Sequence, residues 1–166
     1  RVLPEIPAES AFNKQSMSWK LMTLLPGMLD DEAFIPLRHY LTDDADKRKL
    51  FQLASSVADL YDQSLVYRPE WLTEWEAGRL VDGVGEAQAW QAPLWKALVE
   101  HTAALGQPLW HRANLYQRFI DTLENCDQPP AGLPPRVFIC GISALPPVYL
   151  HALQALGKHV DIYVLF

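Results

Sequence analysis

The sequence predicts a mostly α-helical fold that ends in a small strand–helix–strand unit. Apolar residues recur at helical spacing through most of the first 124 residues, and a proline- and glycine-rich stretch follows at 125–135. Two short apolar runs then flank one more helical segment. Because parallel strands need a long crossover, usually a helix, this terminal part is predicted to be a parallel βαβ unit.

Two helices are expected near the start of the chain. The first is predicted at 13–25, with Asn13 as its N-terminal cap and Pro26 followed by glycine as its end. The second is predicted at 30–41, where three acidic residues in the first turn favour the positive end of the helix dipole. Its Pro36 lies either early in the helix or at a kink.

The third helix is predicted to be the longest, beginning near Asp43 or Asp44 and reaching Leu65. Its buried stripe is predicted to contain Leu50, Leu53, Val57, Leu60 or Tyr61, and Leu65. Asp59, Asp62 and Gln63 are spaced i, i+3 and i+4, so they share another face of the same helix.

That second face carries hydrogen-bonding chemistry beside an arginine. Asp59, Asp62 and Gln63 lie just before Arg68, and several aromatic residues surround the junction. Carboxylates and amides can read base edges and aromatic rings can stack on bases, so single-stranded nucleic acid is one candidate ligand. A solvated helix face is the alternative, and the sequence leaves both open.

Three shorter helices are expected next. One begins at Pro69 and ends before Gly78, and a glycine-punctuated loop follows at 81–85. Another is predicted at 86–105, with a glycine placed to cap its end, and a third at 114–123.

The stretch 125–135 is the one internal boundary that the sequence indicates. It divides a helical subdomain, 1–127, from a partial α/β core, 128–166. Within that core the sequence predicts strands at 136–142 and 160–166, buried on both faces, and a helix at 147–156. Two strands do not make a stable sheet, so their partner strands are expected in missing sequence or in another chain. Because the sequence begins at Arg1 and stops inside an apolar run, it is expected to be an excised piece of a larger polypeptide.

Composition constrains the ligands and the compartment. The net charge is −6 and the pI about 5.3, which argues against nucleic-acid binding through a broad positive field. Any such contact must come from a local site or a neighbouring subunit. Cys126 and Cys140 match no metal spacing and are too few for a disulfide scaffold, so a reducing cytoplasm is expected. No apolar run has the ~20 residues that a membrane span needs.

Common catalytic signatures are absent from the sequence. There is no phosphate-binding loop, no Gly-x-Ser-x-Gly elbow and no metal-binding helix motif, and Ser143 is interpreted as a helix cap. Arg112 precedes a predicted helix and is free to project. It is predicted either to reach a phosphate or base edge, or to cap a neighbouring helix.

Four segments carry a resemblance to a known family: 65–72 (LVYRPEWL), 86–95 (EAQAWQAPLW), 111–115 (HRANL) and 137–147 (VFICGISALPP). They resemble the RecC family, the gamma subunits of exodeoxyribonuclease V, which is the bacterial RecBCD helicase–nuclease. The resemblance covers practically all 166 residues, is close to enterobacterial members, and corresponds to an amino-proximal slice of a far larger subunit.

The resemblance implies a helical subdomain inserted in a helicase-like α/β domain that has lost its ATPase. It implies a cytoplasmic, non-catalytic role in double-strand break repair and recombination, in which the 3′-ended single strand is scanned for Chi. The implied partners are the beta helicase–nuclease subunit, the alpha helicase subunit, and single-stranded or forked DNA, with no membrane. ATP and Mg²⁺ are implied for the partners only. The residues matching the family's Chi contacts are Asp59, Leu60, Asp62, Gln63, Arg68 and Arg112.

Two other functions remain open from the sequence. An active helicase domain would require a nucleotide-binding loop upstream of Arg1. A helical scaffold that docks neighbouring proteins would bury the face between Asp59 and Arg68 against a partner.

Overall fold

The computed structural model describes residue 3 and residues 5–166. Residues 1, 2 and 4 of the predicted helical subdomain lie outside this range. The described part contains α1 (Lys14–Met28), α2 (Ile35–Tyr40), α3 (Arg48–Tyr67), α4 (Pro69–Glu76), α5 (Gln88–Ala104), α6 (Arg112–Glu124), β1 (Arg136–Cys140), α7 (Pro147–Leu156) and β2 (Asp161–Leu165). The predicted mostly helical fold with a terminal βαβ unit is confirmed.

Helix α1 starts as predicted and ends later than predicted. The Asn13 side chain accepts a hydrogen bond from the backbone N–H of Ser16 at 2.8 Å, which confirms it as the N-terminal cap. The predicted stop at Pro26 is wrong, because Pro26 lies inside the last turn. A proline there removes one backbone hydrogen bond, and the helix continues to Met28, which packs against the core.

The predicted second helix is divided in two. The Asp31 carboxylate accepts from the backbone N–H of Ala33 at 2.8 Å and caps a 3-10 turn, Glu32–Phe34. Helix α2 then begins at Ile35, with Pro36 in its first turn. An N–H there would lack an intrahelical partner in any case, so this proline starts the helix without cost.

Helix α3 begins later than expected, at Arg48. Asp43 and Lys47 have φ angles of +62° and +59°, which an α-helix does not contain. The Asp44 carboxylate instead accepts from the backbone N–H groups of Lys49 and Leu50, at 2.9 and 2.8 Å. Asp44 therefore caps the helix from outside it.

The hydrophobic core lies mainly between α1, α3, α4 and α5. The buried stripe of α3 contains Tyr61, whose hydroxyl donates to the carbonyl oxygen of Gln91 at 2.8 Å. Leu60 is 37% exposed, so of the two predicted possibilities only Tyr61 belongs to the core. Leu53 is half-buried, and Ala54 and Ala58 complete the stripe.

The terminal unit has the predicted parallel topology. The β1–β2 register pairs Arg136 with Asp161 and ends at Cys140 with Leu165, and α7 crosses between the strands with the predicted bounds. Burial of the strands on both faces is wrong for this structure. Phe138 and Tyr163 stack at 5.0 Å between ring centroids yet remain 60% and 45% exposed, because a two-stranded sheet is packed against a single helix.

The loop before α7 also differs from expectation. The interpretation of Ser143 as a helix cap is wrong, because α7 begins directly after Pro146 and has no side-chain cap. Ser143 instead lines a shallow apolar cavity of about 610 Å³ beside α7 and β2. The prolines set the backbone angle that starts the helix, so no serine is needed there.

Helix α6 contacts α7 through two tyrosines, and this contact makes stability depend on pH. Tyr116 and Tyr149 meet edge to face at 5.2 Å. Burial, with Tyr149 beside it, raises the pKa of Tyr116 to about 12 from its ordinary value of 10. Above pH 10 the unfolded chain loses this proton first, so the Tyr116 contribution to stability falls as pH rises from 10 to 12.

We expect Tyr116→Phe to make the free energy of unfolding less dependent on pH above 10, because the variant has no phenol to ionise at this position. Urea titrations at a series of alkaline pH values measure the slope. Tyr40→Phe, at an exposed tyrosine in α2, is the matched control and should leave the slope of the parent chain. An unchanged slope in Tyr116→Phe would contradict the expectation.

Candidate nucleic-acid interface

The acid–amide face of α3 consists of Asp59, Asp62 and Gln63. Their spacing along the helix places them together on the surface as predicted. Gln63 is exposed and its Nε2 donates to Asp59 Oδ2 at 3.3 Å, while Asp59 and Asp62 are part-exposed. The three side chains are therefore accessible in the structure and present oxygen acceptors and amide donors together.

Two cations from other helices accompany the acids. Lys14 Nζ of α1 lies 2.6 Å from Asp59 Oδ1, and Arg112 Nη1 of α6 lies 3.9 Å from Asp62 Oδ1. A hydrogen bond to Asp59 and the charge of that carboxylate raise the pKa of Lys14 above its ordinary value. The charges of Lys14 and Arg112 therefore nearly cancel those of Asp59 and Asp62.

The guanidinium of Arg112 is available to another acceptor. At 3.9 Å it is beyond hydrogen-bond distance of Asp62, and its side chain is 53% exposed. In the described part of the chain it makes no hydrogen bond to a helix carbonyl, so the alternative in which it caps a neighbouring helix finds no support. A loosely paired arginine can exchange a carboxylate for a phosphate or base at small cost.

Arg112 is held at the first position of α6 by the residue before it. Buried His111 accepts through Nδ1 from the backbone N–H of Asn114 at 3.3 Å, and Asn114 Oδ1 accepts from the His111 N–H at 2.9 Å. Because Nδ1 is an acceptor, the ring proton lies on Nε2, which donates to Glu76 Oε1 at 2.9 Å. This reciprocal cap fixes where Arg112 leaves the helix.

Asp62 and Arg112 share a small cavity of about 260 Å³ between α1, α3 and α6. Lys14 and His111 also line it. Of the six residues predicted for the site, these two line the same cavity, and Asp59 and Gln63 adjoin them on the same face.

Arg68 and Leu60 are separate from that cavity. Arg68 joins α3 to α4, and its guanidinium lies 5.6 Å from the ring centroid of Trp71 and donates to the carbonyl of Tyr67 at 3.0 Å. It lines a different cavity, of about 580 Å³, with residues of α6 and α7. Leu60 lies roughly 100° around the helix from Asp59. The structure therefore places the six residues in one region but not in one pocket.

Two residues at this interface are missed by the sequence prediction. Lys14 pairs with Asp59 only because α1 packs against α3, and no local pattern signals that contact. The capping role of His111 also lacked a usual local signal, because the common reciprocal cap pairs Ser or Thr with Glu or Gln three residues later, whereas this chain has His111 and Asn114.

Three further features of the described residues concern membrane spans, metal ions and cysteines. Within residues 3 and 5–166, no helix is long and apolar enough to cross a bilayer. The same residues contain no cluster of three or more His, Cys, Asp or Glu side chains arranged for a metal ion. Cys126 and Cys140 are free thiols.

The family model and the relatives that match this chain belong to the same family. The family model described as "RecC, N-terminal domain" matches residues 1–166. The chain is 77% identical, over its whole length, to the RecBCD enzyme subunit RecC of Escherichia coli K12, and 41% identical over 99% of its length to that of Haemophilus influenzae. The RecC of Mycobacterium tuberculosis H37Rv is 27% identical over 94% of the chain. The chain spans about 15% of the length of these relatives.

Proposed function

Since the chain belongs to the RecC family, we propose that it forms the part of a RecBCD enzyme subunit that receives the 3′-ended single strand and scans it for Chi. The proposal assigns base recognition to Asp59, Asp62, Gln63 and Arg112, with Arg68 and Leu60 contacting the strand alongside. The observation that carries it is the accessible acid–amide face with the loosely paired Arg112 beside it.

The chemistry of this face suits reading a strand that moves. Carboxylate and amide groups form hydrogen bonds with base edges, whereas tight phosphate contacts give affinity without sequence information. A locally neutral face avoids strong retention of the backbone, in agreement with the net charge of −6. A matching sequence then gains hydrogen bonds that a mismatched one lacks, which slows its passage.

We further propose that this chain makes and breaks no covalent bond itself. In this proposal residues 1–127 are a helical subdomain and residues 128–166 belong to a helicase-like α/β core without ATPase. The beta and alpha subunits supply strand movement and nuclease activity with ATP and Mg²⁺, and the complex acts in double-strand break repair in the cytoplasm. The relatives are RecBCD enzyme subunits, which supports membership of such a complex.

The test replaces Asp62 or Arg112 by alanine in the full-length subunit within the assembled complex. We expect each variant to unwind duplex DNA at about the parent rate while its response to Chi falls about tenfold, because a lost base contact costs on the order of 1–3 kcal/mol of discrimination. Unwinding is measured on a Chi-free duplex, and the Chi response by the Chi-dependent fragments that the nuclease releases.

Arg118→Ala is the matched control, since Arg118 is an exposed arginine on the same helix as Arg112. It should leave both measurements unchanged. Equal loss of unwinding and Chi response in Asp62→Ala or Arg112→Ala would count against the proposal. Failure of these variants to assemble would favour a protein-docking scaffold, and ATPase activity of the subunit by itself would favour an active helicase domain.

A further inference from the structure

A groove between α1 and α3 exposes two large aromatic rings. It is lined by Lys14, Gln15, Ser18, Trp19, Phe51 and Ser55, and its volume is about 360 Å³. Trp19 is 59% exposed and Phe51 is 49% exposed. Exposed apolar rings that share a groove with polar side chains around them are typical of an interaction surface.

The groove is continuous with the acid–amide face. Phe51, Ser55, Asp59 and Asp62 lie along one stripe of α3, about 16 Å from end to end at 1.5 Å per residue. Lys14 belongs to both places, because it lines the groove and also the cavity that contains Asp62 and Arg112. A linear ligand on the acid–amide face therefore meets the aromatic groove next.

The charge of the groove also differs from that of the chain. The net charge of the protein is −6, yet among the described residues none of the side chains that line the groove is a carboxylate. Lys14 lies at one end. Arg48 lies one helical turn before Phe51 towards the other end, exposed and 3.6 Å from Asp46. Both cations are paired with carboxylates in the structure, Lys14 with Asp59 at 2.6 Å and Arg48 with Asp46, so each would exchange that carboxylate for a phosphate. The rings between them carry no charge that repels the strand.

Two serine hydroxyl groups line the same groove as the rings. Ser18 and Ser55 face each other across the groove, with their hydroxyl oxygens 3.3 Å apart. Short side chains there let α1 and α3 approach and leave space above for a flat ring. The groove thus offers two exposed aromatic rings and two serine hydroxyl groups between them.

We propose that this groove is a stacking site for bases of single-stranded DNA, with Trp19 and Phe51 as the platforms and Lys14 and Arg48 near the phosphates. The inference rests on the proposed function and extends it, because it adds a sequence-independent site beside the residues that recognise Chi. Every base has an aromatic face, so stacking holds the strand in register whatever its sequence. The rings position the strand, and the acid–amide face reads it.

The test is photocrosslinking in the complete complex. A forked duplex carries 5-iodo-2′-deoxyuridine at successive positions of its 3′-ended strand, and crosslinked peptides are identified by mass spectrometry. We expect crosslinks at Trp19 or Phe51. In the double variant Trp19→Ala with Phe51→Ala, their yield and the affinity for a Chi-free single strand should fall by about fivefold or more, since each lost stack is costly.

Two controls isolate the role of the rings. The double variant Trp19→Phe with Phe51→Tyr keeps an aromatic ring at each place and should restore binding. Tyr40→Ala removes an exposed ring on α2 and should change nothing. Both alanine changes are at exposed positions, so the fold should tolerate them, and circular dichroism of the subunit checks this.

The outcomes separate this inference from the function on which it rests. Loss of Chi response in Asp62→Ala, with no crosslink to Trp19 or Phe51, overturns the groove and leaves the proposed function standing. Crosslinks at the rings with a normal Chi response in Asp62→Ala support base stacking in the groove and overturn base recognition by the acid–amide face. If the alanine double variant impairs assembly and the ring-preserving variant assembles without crosslinks, the groove binds a protein neighbour and the inference is overturned.

Discussion

Replacing Trp95 by alanine is expected to lower the free energy of unfolding by about 4 kcal/mol. The indole is completely buried, with ring centroids 5.7 Å from Phe12, 5.1 Å from Tyr61 and 5.6 Å from His111. Its Nε1 also donates to Glu76 Oε1 at 3.1 Å. Alanine would leave a cavity where α1, α3, α5 and α6 converge, and the neighbouring rings cannot all move to fill it.

Urea unfolding of the chain, followed by circular dichroism, measures this loss. Trp95→Phe should cost less, because it keeps a ring and gives up the hydrogen bond and part of the volume. Trp19→Ala is the control of the same residue type at an exposed position, and it should stay within about 0.5 kcal/mol of the parent. Similar losses for Trp95→Ala and Trp19→Ala would show that the aromatic cluster is not the centre of the core.

Replacing His111 by alanine is expected to lower the free energy of unfolding by about 3 kcal/mol. The variant loses the acceptor for the Asn114 N–H at the start of α6 and the Nε2 hydrogen bond to Glu76. It also loses an edge-to-face contact with Phe12 at 5.2 Å. Because Arg112 follows directly, the first turn of α6 should fray and the position of its guanidinium should spread.

His111→Asn separates the two hydrogen bonds. Asparagine is a good N-terminal cap but cannot reach Glu76, so about half of the loss should be recovered. Hydrogen exchange of the backbone amides at 112–115 reports the fraying, and exposed His151→Ala is the control. If His111→Asn proves as damaging as His111→Ala, the stabilisation comes from Glu76 and the helix cap contributes little.

The elements that were predicted with the right bounds are those with a proline or a glycine at their ends. Helix α7 lies between Pro147 and Gly157, and α4 begins at Pro69 and is closed by Gly78, whose φ is +75°. The errors occur where contacts or backbone conformations outside the local sequence pattern set the bounds of a helix. Helix α1 continues through Pro26 because Met28 packs on the core, and α3 is delayed because Lys47 adopts a left-handed conformation.

The site was predictable to the extent that it lies on one helix. The i, i+3, i+4 spacing places Asp59, Asp62 and Gln63 together without knowledge of the fold. The pairing of Lys14 with Asp59 needed the packing of α1 on α3, which no local pattern encodes. The separation of Arg68 from Arg112 into different cavities likewise depends on how α6 and α7 pack.

The stacked pair Phe138 and Tyr163 has a practical consequence for anyone who handles this chain in concentrated solution. A two-stranded parallel ribbon has unpaired backbone groups along both outer margins, and here it carries exposed apolar side chains as well. When this chain is prepared by itself, we expect these edges to pair between copies and to promote aggregation. Tyr163→Lys would put a charge on the edge strand β2 and should reduce this aggregation.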